Sequence, residues 1–226
     1  MIAGLLLAAL LLAAPAKATD ISWVWFTGLP PAQATDVALV LYQIELAGNN
    51  IHVMQRGHDV PLLDSVQIVP VVHVQLSSTQ PARFGIQQAT VITSTLLSAA
   101  RHSNSGWVQL DLEVPDSQHG WYTALVAGIR RQLPASLHLS VTAMASWCTH
   151  DDWLNKLAAD EVVPMFFRMG AAGPAYQQML AYQPARLNSR CRQQAIGMAV
   201  QEAPPLSVQH RYMRRYWFNY KNWARW

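Results

Sequence analysis

Trp107-Val108-Gln109-Leu110-Asp111-Leu112-Glu113 is the stretch of this sequence that is most typical of a buried β-strand, and it ends in two carboxylates. Residues two apart in a strand point to the same face of the sheet, so we expect Asp111 and Glu113 to project into the same space. Burial of two neighbouring carboxylates is costly and drives their pKa values apart. The stretch therefore predicts a functional pair. The alternative is that Asp111 caps the following turn and Glu113 faces solvent beyond the strand end.

The composition is unusually apolar for a chain of 226 residues, a length that allows one domain with a sizeable core. Charged residues make up 13 % of the sequence, about half the ~25 % of a typical globular protein. Part of the excess of apolar residues lies in residues 1–14, which are nearly continuous Leu and Ala. Because Ala16 and Ala18 fit a signal-peptidase site, we predict a signal peptide over residues 1–18 and a single domain over residues 19–226. The alternative is an uncleaved anchor, although the run is shorter than the ~20 residues of a membrane span.

Export would place the mature chain in the periplasm or outside the cell, where cysteines pair. Cys148 and Cys191 are the two cysteines of the sequence, so we predict one disulfide between them. Two unpaired buried thiols are the alternative. The absence of a CxxC spacing argues against a zinc or redox site.

The formal net charge is only +3, and five of the sixteen Lys and Arg residues lie in the C-terminal segment 211–226. A basic tail rich in aromatic residues can contact nucleic acid or lipid headgroups. In an exported protein we expect it instead to pack as a final strand, so that deleting it unfolds the chain. We therefore predict no nucleic-acid partner and no stable membrane span after signal cleavage. The aromatic residues expected to be packed are Tyr212, Tyr216, Trp217 and Phe218.

Candidate strands and helices alternate along the rest of the chain. Strand composition recurs at residues 21–26, 36–45, 51–56, 66–75, 107–113, 137–145, 162–168 and 195–200. Apolar residues at helical spacing, or a helix-start signal, recur at residues 86–102, 121–133, 151–157 and 176–182. Pro70 argues against full ladder pairing in the run that contains it.

This alternation predicts an α/β protein with a parallel sheet. Seven or eight strands suit a (β/α)8 TIM-like barrel, and the short mature chain implies that outer helices are reduced or absent, above all in the first half. No GxGxxG or P-loop motif follows a strand, so we predict no nucleotide site and no cofactor.

Three runs in the second half carry a family resemblance: V-Q-L-D-L-E, L-S-V-T-A-M-A-S-W-C and D-E-V-V-P-M-F-F-R-M-G, with the later Cys191-Arg192. From about residue 107 to residue 200 they resemble the bacterial domain of unknown function 3142, whose proteins look like glycoside-hydrolase-type barrels. The carboxylate strand is also similar to that of family 18 chitinase-like glycosidases, which carry D-x-x-D-x-D-x-E on the fourth strand. Asp111 and Glu113 match its last two acids, whereas Gln109 and Gly106 occupy the two earlier acidic positions.

The active sites of barrel enzymes lie at the carboxyl ends of the strands. Carboxylates for acid–base chemistry, aromatic faces for stacking and polar groups for hydroxyls all follow strands here, and this combination suits a sugar. We assign Glu113 as the acid and Asp111 as its electrostatic partner, which lie about 6.6 Å apart along the strand. That spacing does not choose between retaining and inverting mechanisms. The predicted substrate-binding residues are Trp25, His73, Gln75, Trp147 and Arg168.

Each supporting residue also has a structural interpretation. Trp147 is more typical of an aromatic that packs in the core or against the disulfide, and a lone His73 in an apolar run is more typical of a satisfied core histidine. Arg168 is as typical of an ion pair with one of the acids as of a substrate contact. No third ligand is spaced to complete a metal site with the two acids, so we predict no metal. Ser146 lacks the GxSxG context of a serine hydrolase. Asp160 and Glu161 precede their strand and belong at the opposite end of the barrel.

Two classes of function follow. The first is an exported glycoside hydrolase that acts on an envelope polysaccharide through the paired carboxylates. The second is a non-catalytic barrel that binds carbohydrate or a protein in the same mouth. The sequence predicts neither the sugar nor the oligomeric state.

Overall fold

The computed structural model describes residues 18–57, 64–149, 152–192 and 194–219. Its nine strands are β1 (Thr19–Val24), β2 (Asp36–Ala47), β3 (Asn50–Gln55), β4 (Gln67–Leu76), β5 (Trp107–Leu112), β6 (His138–Met144), β7 (Glu161–Met165), β8 (Ala195–Ala199) and β9 (Arg214–Phe218). Its helices are α1 (Ile86–Ala100), α2 (His119–Gln132), α3 (Gly173–Tyr182) and α4 (Leu206–Gln209). The predicted signal peptide falls almost entirely outside the described residues.

Eight parallel strands close into a barrel in the order β1-β2-β4-β5-β6-β7-β8-β9. Closure is made by β1, which pairs with β2 on one side and with β9 on the other. The ninth strand, β3, forms an antiparallel hairpin with β2 outside the ring. Gly48 adopts a left-handed φ of 59° in the hairpin turn, a conformation that glycine takes without strain. The predicted (β/α)8 TIM-like barrel is therefore confirmed.

Two apolar layers hold the barrel together. Outward-facing residues of the strands, such as Leu110 and Leu112 of β5, pack against Ile92 of α1 and Ile129 of α2. The inner layer fills the barrel itself with inward-facing side chains such as Trp23, Val71, Val163, Tyr216 and Phe218. Because strand residues alternate between these layers, the odd-numbered positions of β5 point inward, away from the helices.

The helices are unevenly distributed around the ring, as the short length of the predicted domain implies. Residues 25–35, which join β1 to β2, contain no helix. The described part of the connection from β2 to β4 holds the β3 hairpin instead. The predicted helix over residues 151–157 is a 3-10 turn at Trp153–Lys156, and Asp151 lies outside the described residues.

Two local expectations need adjustment. Despite Pro70, β4 is a central strand that pairs with both β2 and β5. It tolerates the proline because its register with β5 begins only at Val71, after the residue that lacks an N–H. The strand predicted over residues 162–168 ends early, at Met165, so Phe167 and Arg168 lie in the loop beyond it.

The C-terminal segment packs as expected. β9 pairs along both edges, with β8 and with β1. Tyr212, Tyr216 and Phe218 are buried and Trp217 is half-buried. Residues 220–226 lie outside the described part of the chain.

A buried polar cluster occupies the amino-terminal end of the barrel. The Glu161 carboxylate, fully buried, lies 2.7 Å from Arg214 Nε and accepts hydrogen bonds of 2.8 Å from Ser140 and Tyr216. The Arg214 guanidinium in turn lies 4.2 Å from the centre of the Trp107 ring. Glu161 is therefore at the end opposite the carboxyl ends of the strands, as its position before β7 predicts.

The predicted disulfide is present. Cys148, in a 3-10 turn that follows β6, is bonded to Cys191, which lies shortly before β8. Both residues are buried. The bridge ties the segment after the fifth barrel strand to the segment that enters the seventh.

Candidate active site

A cavity of about 770 Å³ opens at the carboxyl ends of the strands. Side chains from six barrel strands or the loops that follow them line it, so it is the mouth of the barrel. The lining residues are Trp25, His73, Val74, Gln75, Leu76, Asp111, Glu113, Met144, Ala145, Ser146, Met165, Phe167, Arg168, Met169, Ala172, Tyr176 and Phe218.

The two acids of β5 both line this cavity, and they do so at different depths. Asp111, within the strand, is 5 % exposed. Glu113 follows the last residue of β5 and is exposed at the mouth. The alternation of β5 sends both side chains to the inner side of the barrel, which is the placement that the two-residue spacing predicts.

Asp111 is fixed by hydrogen bonds to both of its carboxylate oxygens. His73 Nδ1 lies 2.6 Å from Oδ2, and the Thr142 hydroxyl donates to Oδ1 over 2.7 Å. The two partners come from the strands on either side of β5: His73 is in register with Asp111 on β4, and Thr142 lies on β6. Asp111 is thus a rigid acceptor at the centre of the cavity floor.

Glu113 has a raised pKa. Partial desolvation of its carboxyl by the surrounding barrel is the largest cause, and the negative charge of Asp111 adds to it. The charges of His73 and Arg168 act in the opposite direction. Because the residue is open to water at the mouth, solvent screens these charges and limits the size of the shift. The result is a carboxyl group that keeps its proton to higher pH than an ordinary glutamate.

Arg168 enters the cavity from a strained position. It lies in the loop after β7 with a φ of 52°, in the left-handed region that disfavours residues with a side chain. Its backbone N–H donates to Glu202 Oε2 over 3.0 Å. Glu202 ends a 3-10 turn at the carboxyl end of β8, so two neighbouring barrel loops meet at this hydrogen bond.

Trp25 covers one side of His73. It follows β1, and its ring meets the imidazole edge-on with centroids 5.1 Å apart. The loop is held by Arg56, whose guanidinium donates to the carbonyl oxygens of Trp25 at 2.8 Å and Gly28 at 2.6 Å. Nearby, Gln75 accepts a 3.3 Å hydrogen bond from Gln43. The predicted residues Trp25, His73 and Gln75 therefore all reach the cavity.

The structure does not bring Trp147 into the cavity. The side chain is 1 % exposed and packs against Trp153, Tyr122 and His119 in the outer layer. The turn of β6 into a 3-10 helix at Ala145 explains the difference, since it directs Ser146 to the mouth and Trp147 away from it. The core interpretation of Trp147 fits its position, and the stacking interpretation does not.

Sequence reasoning did not assign several aromatic and sulfur-containing residues to the site. Phe167 and Tyr176 come from the β7 loop and α3, and Phe218 ends β9. Met144, Met165 and Met169 add apolar surface between them. The signal for Phe218 was available, because the inward alternation of β9 places it at the carboxyl end of a barrel strand.

The described residues contain neither a metal-binding cluster nor a membrane-spanning helix. Within them, no group of three or more His, Cys, Asp or Glu side chains is arranged to hold a metal ion. No helix in the same part of the chain is long and apolar enough to cross a bilayer.

Comparisons with known proteins give a likeness of fold. No protein-family model matches the chain, and no curated protein matches its sequence. Among solved structures, a GH18 chitinase from Pseudoalteromonas aurantia matches with a TM-score of 0.58 and 12 % identity over 89 % of this chain and 94 % of that one. The spore cortex-lytic enzyme SleL of Bacillus cereus matches with a TM-score of 0.48 and 14 % identity over 81 % of this chain. The present chain covers 50 % of the SleL chain.

The chitinase match extends along nearly the whole of both chains, and at this level of identity it establishes the fold alone. The chain therefore shares the (β/α)8 barrel fold of that chitinase. Membership of the domain of unknown function 3142 family stays a prediction.

Proposed function

We propose that this protein is an exported glycoside hydrolase that cleaves an envelope polysaccharide, with Glu113 as the general acid and Asp111 as its electrostatic partner. One observation carries the proposal: both carboxylates line a single cavity at the carboxyl ends of the barrel strands. That is the end at which barrel enzymes place their chemistry.

The charge states of the two acids suit the reaction. Glycoside hydrolysis needs one protonated acid and one carboxylate. The raised pKa of Glu113, caused by burial and by Asp111, favours the protonated form that gives its proton to the leaving glycosidic oxygen. As the C–O bond breaks, positive charge develops on the sugar and Asp111 is placed to stabilise it. Water then forms a bond to the anomeric carbon, supplies the hydroxyl of the new reducing end and returns its other proton to Glu113.

The rest of the cavity supports a sugar ligand. Trp25 and Tyr176 offer aromatic faces, while Gln75 and Arg168 offer hydrogen bonds to hydroxyl groups. The Cys148–Cys191 disulfide supports export, because such bonds persist in oxidising compartments such as the periplasm. The chitinase-like fold adds a general precedent for polysaccharide chemistry in this barrel, which is analogy rather than evidence of activity.

The test is a comparison of the native protein with Glu113→Gln on a panel of bacterial and environmental polysaccharides, measured by release of reducing ends. We expect the native protein to release reducing ends from at least one of them, and the variant to lose about 100-fold or more of that rate while it still binds the glycan. Glu45→Gln is the matched control, since Glu45 is exposed on β2 and does not line the cavity. No turnover by the native protein, with retained binding of a glycan, would instead support a non-catalytic carbohydrate-binding barrel.

A further inference from the structure

The backbone of Arg168 is in a conformation that costs energy. Among the described residues that are not glycine, a positive φ occurs at Arg168 and Phe84. Such a conformation is unfavourable for a residue with a side chain and persists only where the surroundings enforce it. Here it occurs at the rim of the cavity that Glu113 lines.

The Glu202 carboxylate binds the backbone of Arg168 at this position. Its Oε2 accepts the Arg168 N–H over 3.0 Å across 34 positions of sequence, from the loop that follows the next barrel strand. A charged acceptor makes a stronger hydrogen bond than a neutral one. Glu202 is not among the residues that line the cavity, and this hydrogen bond joins it to the backbone of Arg168.

The charges around Glu113 connect the position of Arg168 to the protonation of the Glu113 carboxyl. Asp111, His73 and Arg168 are the groups whose charges act on its carboxyl. Asp111 and His73 are tied to each other by their hydrogen bond. Arg168 reaches the cavity from the loop after β7, so the conformation of that loop contributes to the position of its side chain.

We infer that Glu202 is a positioning residue: it holds the Arg168 loop in its strained conformation and so keeps the guanidinium charge in the cavity beside Glu113. The positive charge of Arg168 then offsets the negative charge of Asp111 at the Glu113 carboxyl. Glu113 can therefore bind a proton and also release it. This inference rests on the proposed role of Glu113 as the acid, but its test reads the protonation of Glu113 directly and does not need turnover.

The test is a carbon-13 NMR titration of the Glu113 carboxyl, with its signal assigned by its absence in Glu113→Gln. Arg168→Gln should raise the pKa of Glu113, because an attractive positive charge is lost. Glu202→Ala should raise it as well, because the loop relaxes and Arg168 leaves the cavity. Glu202→Gln should stay close to the native value, since its amide oxygen still accepts the Arg168 N–H.

The sign of the Glu202→Ala effect decides the matter. If Glu202 acted only through its charge, removing that negative charge would lower the pKa of Glu113, opposite to the effect of a lost Arg168. A lowered or unchanged value in Glu202→Ala overturns the inference, as does an unchanged value in Arg168→Gln. Glu45→Gln serves as the control for a distant carboxylate.

Glu202→Asp provides a second variant should Glu202→Ala fail to fold. It keeps the charge but is one methylene shorter, so it cannot reach the Arg168 N–H without movement of the loop. We expect an upward shift in this variant too, and an unchanged value would overturn the inference. If the pKa of Glu113 rises in these variants but the native protein cleaves no glycan, the positioning role of Glu202 stands. Only the proposed hydrolase function is then contradicted.

Discussion

His73 and Asp111 face each other across neighbouring strands, with Nδ1 of the imidazole 2.6 Å from Oδ2 of the carboxylate. Their strands are in register at this pair, so the contact is set by the barrel itself and not by a loop. Thr142 occupies the other oxygen of Asp111 from the opposite side. The central acid of the cavity is thus held by two rigid strands, an arrangement that fixes its direction within the mouth.

Removing the hydroxyl of Thr142 should destabilise the protein. Thr142→Val keeps the shape of the side chain but leaves a buried oxygen of Asp111 without its donor, a loss of about 1–3 kcal/mol. Urea denaturation of the native and variant proteins measures the difference. Thr142→Ser, which restores the hydroxyl, should recover most of it.

The control for this loss is Thr90→Val. The Thr90 hydroxyl bonds to a carbonyl of its own helix at an exposed position of α1, so we expect a change within about 0.5 kcal/mol. Equal losses of stability in Thr90→Val and Thr142→Val would show that the hydrogen bond to Asp111 stabilises the fold no more than an exposed one.

The raised pKa of Glu113 predicts a pH-dependent stability. The folded state binds this proton more tightly than the unfolded state, in which the pKa is near the ordinary value of 4.5. The stabilisation by the bound proton is therefore complete below pH 4.5 and is lost as the pH rises through the raised pKa. Glu113→Gln cannot titrate, so its stability relative to the native protein should increase as the pH rises from about 4.5 through the raised pKa of Glu113.

Denaturation of both proteins at several pH values measures this difference, with Glu45→Gln as the reference for an exposed acid on β2. If Glu113 is the general acid, the rate of glycan cleavage should fall over the same pH range in which it loses its proton. A stability difference that stays flat across the range would contradict the raised pKa.

The sequence was sufficient for the parts of the site that depend on strand periodicity. Asp111 and Glu113 share the cavity because alternation in a strand is independent of the rest of the fold. His73 could be placed at the end of a strand, but its contact with Asp111 depends on the register between β4 and β5, which no local pattern contains.

Residues beyond the strand ends could not be placed in the same way. Trp147 and Phe167 both follow strands, yet Trp147 turns into the outer layer and Phe167 into the cavity. The conformation of each loop decides this, and it is set by tertiary contacts such as the bond from Arg168 to Glu202. Nothing in the sequence near Arg168 indicates a left-handed φ, since glycine is the residue that usually signals one.

The buried ion pair of Glu161 and Arg214 predicts a large loss of stability when one partner is changed and a smaller loss when both are replaced. Glu161→Gln leaves the Arg214 guanidinium without its counter-charge in a buried site, which should cost about 3–5 kcal/mol. Replacing both residues, as Glu161→Leu with Arg214→Met, removes the unpaired charge and should recover part of this loss. Denaturant unfolding of the two variants provides the comparison. A loss below about 1 kcal/mol in Glu161→Gln would contradict an important role for the pair.

The Cys148–Cys191 disulfide closes a loop with a sequence separation of 43 residues. In the chain-entropy model, a loop of this length stabilises the fold by about 4 kcal/mol, mainly because it restricts the unfolded chain. The variant with both cysteines changed to alanine should therefore be less stable by up to that amount. The native protein, isolated without a reductant, should show no thiol that reacts with a labelling reagent until it is denatured and reduced. Two reactive thiols in the denatured but unreduced protein would show that the bridge does not form in the cell, and the argument for export that depends on it would be lost.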